Sequence, residues 1–142
     1  MIFPEGTRSV DGYVGRFQYG AAYPATHHRV PVVPIAHRGT FAAMPRGRGW
    51  PSPGRRRLTV RFGEPLRPGV DESPREFAPG IRDAVAALLD EEQSTWWEAR
   101  RRAASGSTPD PSGPATAQWR RVWDQTAEVA TPEKGPRRVW QH

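Results

Sequence analysis

The chain has no cysteine and no long apolar run, and each absence excludes a class of protein. Without cysteine, neither disulfides nor thiol catalysis is available. No run of about 18 apolar residues occurs, so no membrane-spanning segment is predicted, and no signal peptide is visible at the start. Hydrophobic residues make up only 36% of the 142 residues. That fraction is low for a packed core, so we expect one domain at most, shorter than the chain.

Lysine is nearly absent as well, because Lys134 is the only one and the other basic residues are arginines. The formal net charge is nevertheless +6 and the pI is about 10.9. This charge favours anionic partners such as phosphate head groups, a membrane surface or nucleic acid, and it does not choose among them.

The most informative stretch is Phe-Pro-Glu-Gly-Thr-Arg-Ser at residues 3–9. Met1–Phe3 are predicted to be the apolar end of a buried strand that Pro4 terminates. Gly6 permits a tight turn whose amides face one ligand. Such a loop after a strand is where open α/β sheets usually bind ligands.

The polar side chains of this stretch suit a phosphorylated polyol. Arg8 offers a planar fork of donors for a phosphate or carboxylate. Glu5 brings an acceptor for hydroxyl groups, and Thr7 and Ser9 supply hydroxyls. A solvated turn with an incidental ion pair is the alternative, since a short motif can match by chance.

The stretch resembles the glycerophosphate-binding motif F-P-E-G-T-R-S of the lysophospholipid (1-acylglycerol-3-phosphate) acyltransferase family. Further segments resemble the family's later motifs in the same order, over roughly residues 1–90. They are Asp11-Gly12, Phe17-Gln18-Tyr19-Gly20-Ala21, Val30-Pro31-Val32-Val33-Pro34-Ile35 and Arg61-Phe62-Gly63-Glu64-Pro65-Leu66. The chain is therefore identified as resembling the C-terminal part of that family's domain.

The resemblance implies an α/β fold, the C-terminal part of a glycerolipid-acyltransferase-like sheet flanked by helices and followed by a disordered tail. It implies transfer of an acyl chain from acyl-CoA or acyl-ACP, as co-substrate, to a lysophosphatidate-like acceptor in phospholipid biosynthesis. No other cofactor and no metal is expected. The expected partners are the lysophospholipid, the acyl thioester and an anionic membrane surface, with no specific nucleic acid. The implied location is peripheral, at the cytoplasmic face of the cell membrane.

The resemblance also implies the acceptor-binding residues. Glu5 is expected on the glycerol hydroxyls and Arg8 on the phosphate, in a loop shaped by its neighbours. Gln18 stands where the family has a basic residue, so one phosphate contact is in doubt, and Arg16 is the candidate substitute. The full predicted set is Glu5, Gly6, Thr7, Arg8, Ser9, Arg16, Gln18 and Pro34.

The family's catalytic motif, H-x-x-x-x-D, has no counterpart among the four histidines. His27, His28 and His37 are followed five residues later by Val32, Val33 and Ala42, and His142 ends the sequence. We therefore expect no catalytic residue in this chain. It is expected to be a gene fragment or to have a mis-called start, and to be inactive on its own.

Local patterns predict the remaining elements. Residues 9–15 read as a turn, and a crossover helix over residues 16–29 is expected to kink or restart at Pro24. Residues 30–36 predict a strand whose prolines force an edge position or irregular pairing, and residues 58–62 alternate as a half-buried strand. Ser73 begins a helix with a capping box, which Pro79-Gly80 should kink or divide. Its apolar positions are Phe77, Ile81, Ala84, Val85, Leu88 and Leu89.

The domain is predicted to occupy residues 1–104, and residues 105–142 form a Pro-, Arg- and Trp-containing tail that is expected to be disordered. The arginine- and tryptophan-containing loop at 39–57 is either a solvated loop or a binding surface. A non-enzymatic module for anionic membrane or nucleic acid is thus the rival function. A third possibility is that the isolated chain does not fold, since buried backbone groups of its sheet would lack partners.

Overall fold

The computed structural model describes residues 1–115 and Trp119. Four helices and two strands occur in this part. In chain order they are α1 (Ala22–His28), β1 (Ile35–Arg38), α2 (Thr40–Ala43), β2 (Thr59–Phe62), α3 (Pro74–Gln93) and α4 (Trp96–Ala104). The predicted α/β class is confirmed.

Helix α1 begins later than the predicted crossover helix, at Ala22 rather than at residue 16. Pro24 is its third residue, and a proline is tolerated there because the first turn's N–H groups have no partner within the helix. The predicted restart at Pro24 is wrong as well, because no helix of the described residues precedes Ala22 and α1 continues through Pro24. The helix ends at Arg29, whose φ of 52° is left-handed.

The two strands form an antiparallel ribbon in which Ile35 faces Phe62 and Arg38 faces Thr59. The strand predicted over residues 30–36 is confined to its end, because Pro31 and Pro34 have no N–H to donate. Val32 instead forms an isolated bridge with Leu66. The expectation of irregular pairing was correct.

The ribbon packs one face against α3. Arg61 Nη1 lies 2.6 Å from Glu91 Oε1, and Arg38 Nε lies 3.1 Å from Glu92 Oε2. On the opposite face of β2, the Val60 and Phe62 side chains are 48% and 68% exposed. The predicted alternation in β2 is present, but its apolar residues point away from α3.

Helix α3 starts at the predicted capping box. The Glu76 N–H donates to the Ser73 hydroxyl, and the Glu76 carboxylate accepts from the Ser73 N–H. The predicted division into two helices at Pro79-Gly80 is wrong, because the helix is continuous to Gln93 and ends there, whereas the alternative of a kink at this point stays a prediction. A new helix, α4, then begins behind Thr95, whose side chain accepts from the Glu98 N–H.

The core lies between α1 and α3. Its buried residues are Ala22, Ala25, Phe77, Ala78 and Ile81. Ala78 and Ala86 were missing from the predicted apolar set, whereas Ala84, Val85, Leu88 and Leu89 are half-buried. A carboxylate also lies inside: Asp90 is buried and accepts from Arg102 Nε at 2.8 Å, which joins α3 to α4.

The predicted strand at residues 1–3 is not formed. No strand among the described residues pairs with it, and Met1, Ile2 and Phe3 are largely exposed. A strand requires a neighbour for its N–H and C=O groups. Without one, the segment enters the Pro4 turn as irregular chain.

Helix α4 ends at the predicted domain boundary, and the chain continues in turns and irregular form to residue 114. Of the predicted tail, residues 116–118 and 120–142 lie outside the described residues. Among the helices of the described part, none is both long and apolar enough to cross a bilayer.

Candidate functional site

The loop at residues 3–9 is a tight turn. The Gly6 N–H donates to the Phe3 carbonyl at 3.1 Å. Gly6 has a φ of 69°, in the left-handed region that other residues rarely adopt. The prediction that Gly6 permits a tight turn is confirmed.

Glu5 fastens this turn to the residues that follow it. Its Oε2 accepts from the Gly15 N–H at 2.7 Å. The approach is so close that a Cβ on Gly15 would lie 2.8 Å from Oε2. A second backbone contact, from the Gln18 N–H to the Pro4 carbonyl at 2.7 Å, runs alongside. Glu5 thus has a structural partner in addition to any ligand.

Arg8 reaches across to the loop between α2 and β2. Its Nη1 donates to the Arg48 carbonyl at 3.0 Å and to the Pro45 carbonyl at 3.3 Å. The side chain is otherwise exposed. A guanidinium carries five N–H donors, so contacts through one nitrogen do not exhaust it.

Ser9 organises the predicted turn. Its hydroxyl accepts from the Gly12 N–H at 2.8 Å and donates to the Tyr13 carbonyl at the same distance. Asp11 Oδ1 in turn accepts from the Tyr13 N–H at 3.0 Å. Gly12 has a φ of 84°, a left-handed conformation that favours glycine at this position.

A groove of about 1460 Å³ lies beside these loops. Residues 5–9 line it, and so do the apolar residues Phe3, Phe17, Ile35, Ile81 and Leu89. Six of the eight predicted site residues line it, namely Glu5, Gly6, Thr7, Arg8, Ser9 and Pro34. Arg16 and Gln18 are not among its lining residues, and both are exposed.

Part of the groove wall comes from the segment predicted to be a tail. Pro109, Asp110 and Pro111 line the groove, and the Pro111 carbonyl accepts from the Val14 N–H at 3.1 Å. Arg82 on α3 fixes the segment through Asp110 Oδ1 at 2.7 Å. No local pattern in the sequence identifies this contact.

The geometry around Asp110 also affects its titration. The Ser112 N–H, 2.9 Å from Oδ1, lowers the pKa of the Asp110 carboxyl below its ordinary 3.8. The Ser112 hydroxyl and Arg82 lower that pKa further. Asp110 is therefore a carboxylate at neutral pH, at the rim of a groove that also contains Arg8.

The histidines of the described part make ring contacts. The His37 ring centroid is 6.2 Å from that of Phe3, and His27 stacks on Tyr23 at 5.8 Å. Within residues 1–115, no cluster of three or more His, Asp or Glu side chains could hold a metal ion.

Comparison with known proteins gives partial but consistent matches. Residues 1–38 match the family model described as Acyltransferase. Over 47 residues, 33% of this chain, the sequence is 56% identical to a chloroplastic 1-acyl-sn-glycerol-3-phosphate acyltransferase of Brassica napus. A longer match, 36% identical over 90 residues and 63% of this chain, is to the corresponding enzyme of Chlamydomonas reinhardtii.

A solved structure is similar as well. The 1-acyl-sn-glycerophosphate acyltransferase PlsC from Thermotoga maritima superposes with a TM-score of 0.57 and 33% sequence identity over 67% of this chain. These matches cover 14% of the Brassica protein, 26% of the Chlamydomonas protein and 39% of the Thermotoga chain. The chain therefore spans well under half of each relative.

Proposed function

We propose that this chain, whose residues 1–38 match the Acyltransferase family model, supplies the acceptor-binding part of a 1-acylglycerol-3-phosphate acyltransferase. The acceptor is a lysophosphatidate-like lipid, and the donor is an acyl thioester of coenzyme A or acyl carrier protein. In that reaction an acceptor hydroxyl attacks the thioester carbonyl, an ester bond forms and the thiol leaves.

The observation that carries the proposal is the groove that residues 5–9 line together with many apolar side chains. Residues 5–9 contribute an arginine and two hydroxyls to the lining, and most of the other lining residues are apolar. Its volume of about 1460 Å³ exceeds the ~300–1,000 Å³ of common small-molecule pockets. Such a groove suits a ligand with a phosphate head and a long apolar chain.

Each residue of the loop at 5–9 has a proposed task. The Nε and Nη2 donors of Arg8 take the phosphate, while Nη1 keeps its contacts with the carbonyls of residues 45 and 48. Glu5 holds the loop through Gly15 and accepts from a glycerol hydroxyl. Gly6, Thr7 and Ser9 set the shape of the loop, and Pro34 contributes to the lining of the groove.

We propose that the chain alone does not complete the reaction. The acceptor hydroxyl must lose its proton to a base as it attacks. None of the four histidines of this chain is followed by an aspartate five residues later. An assay of the purified chain with lysophosphatidate and either acyl-CoA or acyl-ACP should therefore give no phosphatidate. Product formation well above the uncatalysed rate would contradict this part of the proposal.

Binding of sn-glycerol 3-phosphate, followed by calorimetry or NMR, tests acceptor recognition on the chain itself. Losing hydrogen bonds to a charged group costs about 1.5–3 kcal/mol, so Arg8→Ala should weaken binding roughly 10- to 100-fold. Arg67→Ala removes an equal charge from an exposed position away from the groove and should change affinity little. Equal affinity of Arg8→Ala and wild type would refute the assignment of Arg8.

The second candidate is a non-enzymatic module for anionic membrane or nucleic acid, favoured by the net charge of +6. It predicts salt-dependent binding to any polyanion without preference for glycerol 3-phosphate. Competition between glycerol 3-phosphate and inorganic phosphate separates the two functions, since only the first requires the glycerol moiety. We also place the protein at the surface of a membrane, where its lipid acceptor resides.

A further inference from the structure

The basic residues of the chain are segregated from its acidic ones. Between Gly12 and Gly63 there is no aspartate or glutamate, yet nine arginines occur. Two of these, Arg38 and Arg61, pair with glutamates of α3. The ribbon therefore uses part of the positive charge internally, and the loop between α2 and β2 carries most of what remains.

That loop, residues 44–58, is here called the arginine loop. Arg55, Arg56 and Arg57 are consecutive and exposed, and none takes part in the ion pairs found among residues 1–115. Trp50, in the same loop, is 84% exposed. Three exposed cations and an exposed tryptophan within eight residues form a surface that is both basic and apolar.

The arginine loop has a fixed position relative to the site. Arg8 holds it through the carbonyls of Pro45 and Arg48, and the Ser52 N–H donates to the Ala43 carbonyl at 2.7 Å. Its Met44, Pro51 and Leu58 line the groove. The loop is thus a rim of the groove, attached to the same arginine that we assign to the phosphate.

We infer that the arginine loop docks on the surface of an anionic bilayer and so presents the groove to lipid. Arginines near an anionic surface attract it by about 1 kcal/mol each, and tryptophan prefers the head-group level, where its ring is half solvated. The choice of a bilayer as partner rests on the proposed lipid acceptor. A single tryptophan beside an apolar groove is a poor stacking platform for successive bases, which disfavours nucleic acid.

The test is flotation of the full chain with vesicles of phosphatidylcholine, alone or mixed with phosphatidylglycerol. The wild type should float only with the mixed vesicles. The triple variant Arg55→Ala, Arg56→Ala, Arg57→Ala should bind them on the order of 100-fold more weakly. The matched control is the triple variant Arg67→Ala, Arg75→Ala, Arg101→Ala, which removes three exposed arginines elsewhere. It should bind the mixed vesicles within a few-fold of wild type.

Two further variants make the outcome independent of folding defects. Replacing Arg55, Arg56 and Arg57 by lysine keeps the charge and should keep binding. Trp50→Ala should weaken binding even in high salt, because the indole contributes by partitioning rather than by charge. Loss of binding in the lysine variant would overturn the inference.

Two more results would also refute docking through the loop. The first is an equal loss in the two alanine triples, which would mean that only net charge matters. The second is tighter binding to a single-stranded oligonucleotide than to anionic vesicles. If that binding is lost in the variant of Arg55, Arg56 and Arg57, the loop would be assigned to nucleic acid.

Glycerol 3-phosphate affinity without vesicles is measured in parallel. The arginine-loop triple should retain it and Arg8→Ala should lose it, so failure of docking is distinguishable from failure of the proposed function.

Discussion

Gly15→Ala is the sharpest probe of how the loop at residues 3–9 is held in place. A Cβ at Gly15 would lie 2.8 Å from Glu5 Oε2, which is too close for the carboxylate to stay in place. The side chain must move, and the 2.7 Å bond from the Gly15 N–H must lengthen or break. The loop at residues 3–9 would then lose one of its links to the segment that follows, and the bond from the Gln18 N–H to the Pro4 carbonyl would remain.

The expected cost follows from two opposing contributions. A hydrogen bond to a charged acceptor contributes about 2 kcal/mol to stability. Replacing glycine by alanine returns roughly 0.5–1 kcal/mol by restricting the unfolded chain, since Gly15 has no positive φ. Gly15→Ala should therefore lower the free energy of unfolding by about 1–1.5 kcal/mol.

Gly20→Ala is the matched control. No atom lies within 4 Å of its added Cβ, and its φ is not positive. This variant should be neutral or stabilised by about 0.5 kcal/mol. For a domain of this size the two variants should differ in Tm by roughly 8 °C in thermal unfolding followed by circular dichroism.

Equal melting temperatures for Gly15→Ala and Gly20→Ala would refute the reasoning. A double-mutant cycle adds a second criterion, because in a Glu5→Ala background the carboxylate is absent and Gly15→Ala should have no cost. Additive effects of the two substitutions would show that Glu5 and Gly15 do not act together.

Three predictions concern the helices. Ser73→Ala removes the α3 cap and should cost about 1 kcal/mol in denaturant unfolding; an unchanged midpoint would contradict the capping role. Hydrogen bonds from Ser73 lower the pKa of Glu76 below 4.5. The stabilisation by Glu76 should thus be present above pH 4.5 and disappear as pH falls through the lower, folded-state pKa. The Tm difference between wild type and Glu76→Gln should shrink over that range, and a constant difference would be the contrary result. Arg102→Ala leaves the buried Asp90 carboxylate unpaired and should cost about 2 kcal/mol, whereas the exposed Arg101→Ala should stay within about 0.5 kcal/mol.

Elements specified by neighbouring residues could be predicted from the sequence. The capping box that begins α3, the turn at Ser9 and the alternation of β2 each depend on side chains a few positions apart. The motif at residues 3–9 was equally visible, because its seven residues are contiguous. The prediction that Pro79-Gly80 divides the helix failed, because a proline inside a helical pattern can either end the helix or be tolerated. Helix α3 tolerates Pro79 with the loss of one N–H donor and remains continuous.

Contacts between distant segments could not be predicted. Arg8 meets the Pro45 carbonyl 37 positions away, and Arg82 meets Asp110 across 28 positions. Nothing in the neighbouring sequence marks either partner. Every residue has a backbone carbonyl, and the proline-rich segment around Asp110 gives no indication of a contact with Arg82. The wall of the groove at residues 109–111 therefore emerged only from the three-dimensional arrangement.

The ribbon of β1 and β2 has a practical consequence for anyone who purifies this chain. Its two outer edges are unpaired, because within residues 1–115 no third strand joins the sheet. The Val60 and Phe62 side chains form a hydrophobic row on one face of β2. Arg61, which lies between them in sequence, is on the other face. Unpaired edges of this kind template pairing between copies. Aggregation at high concentration should therefore start at β2, and binding measurements belong at the lowest concentration that the detector allows.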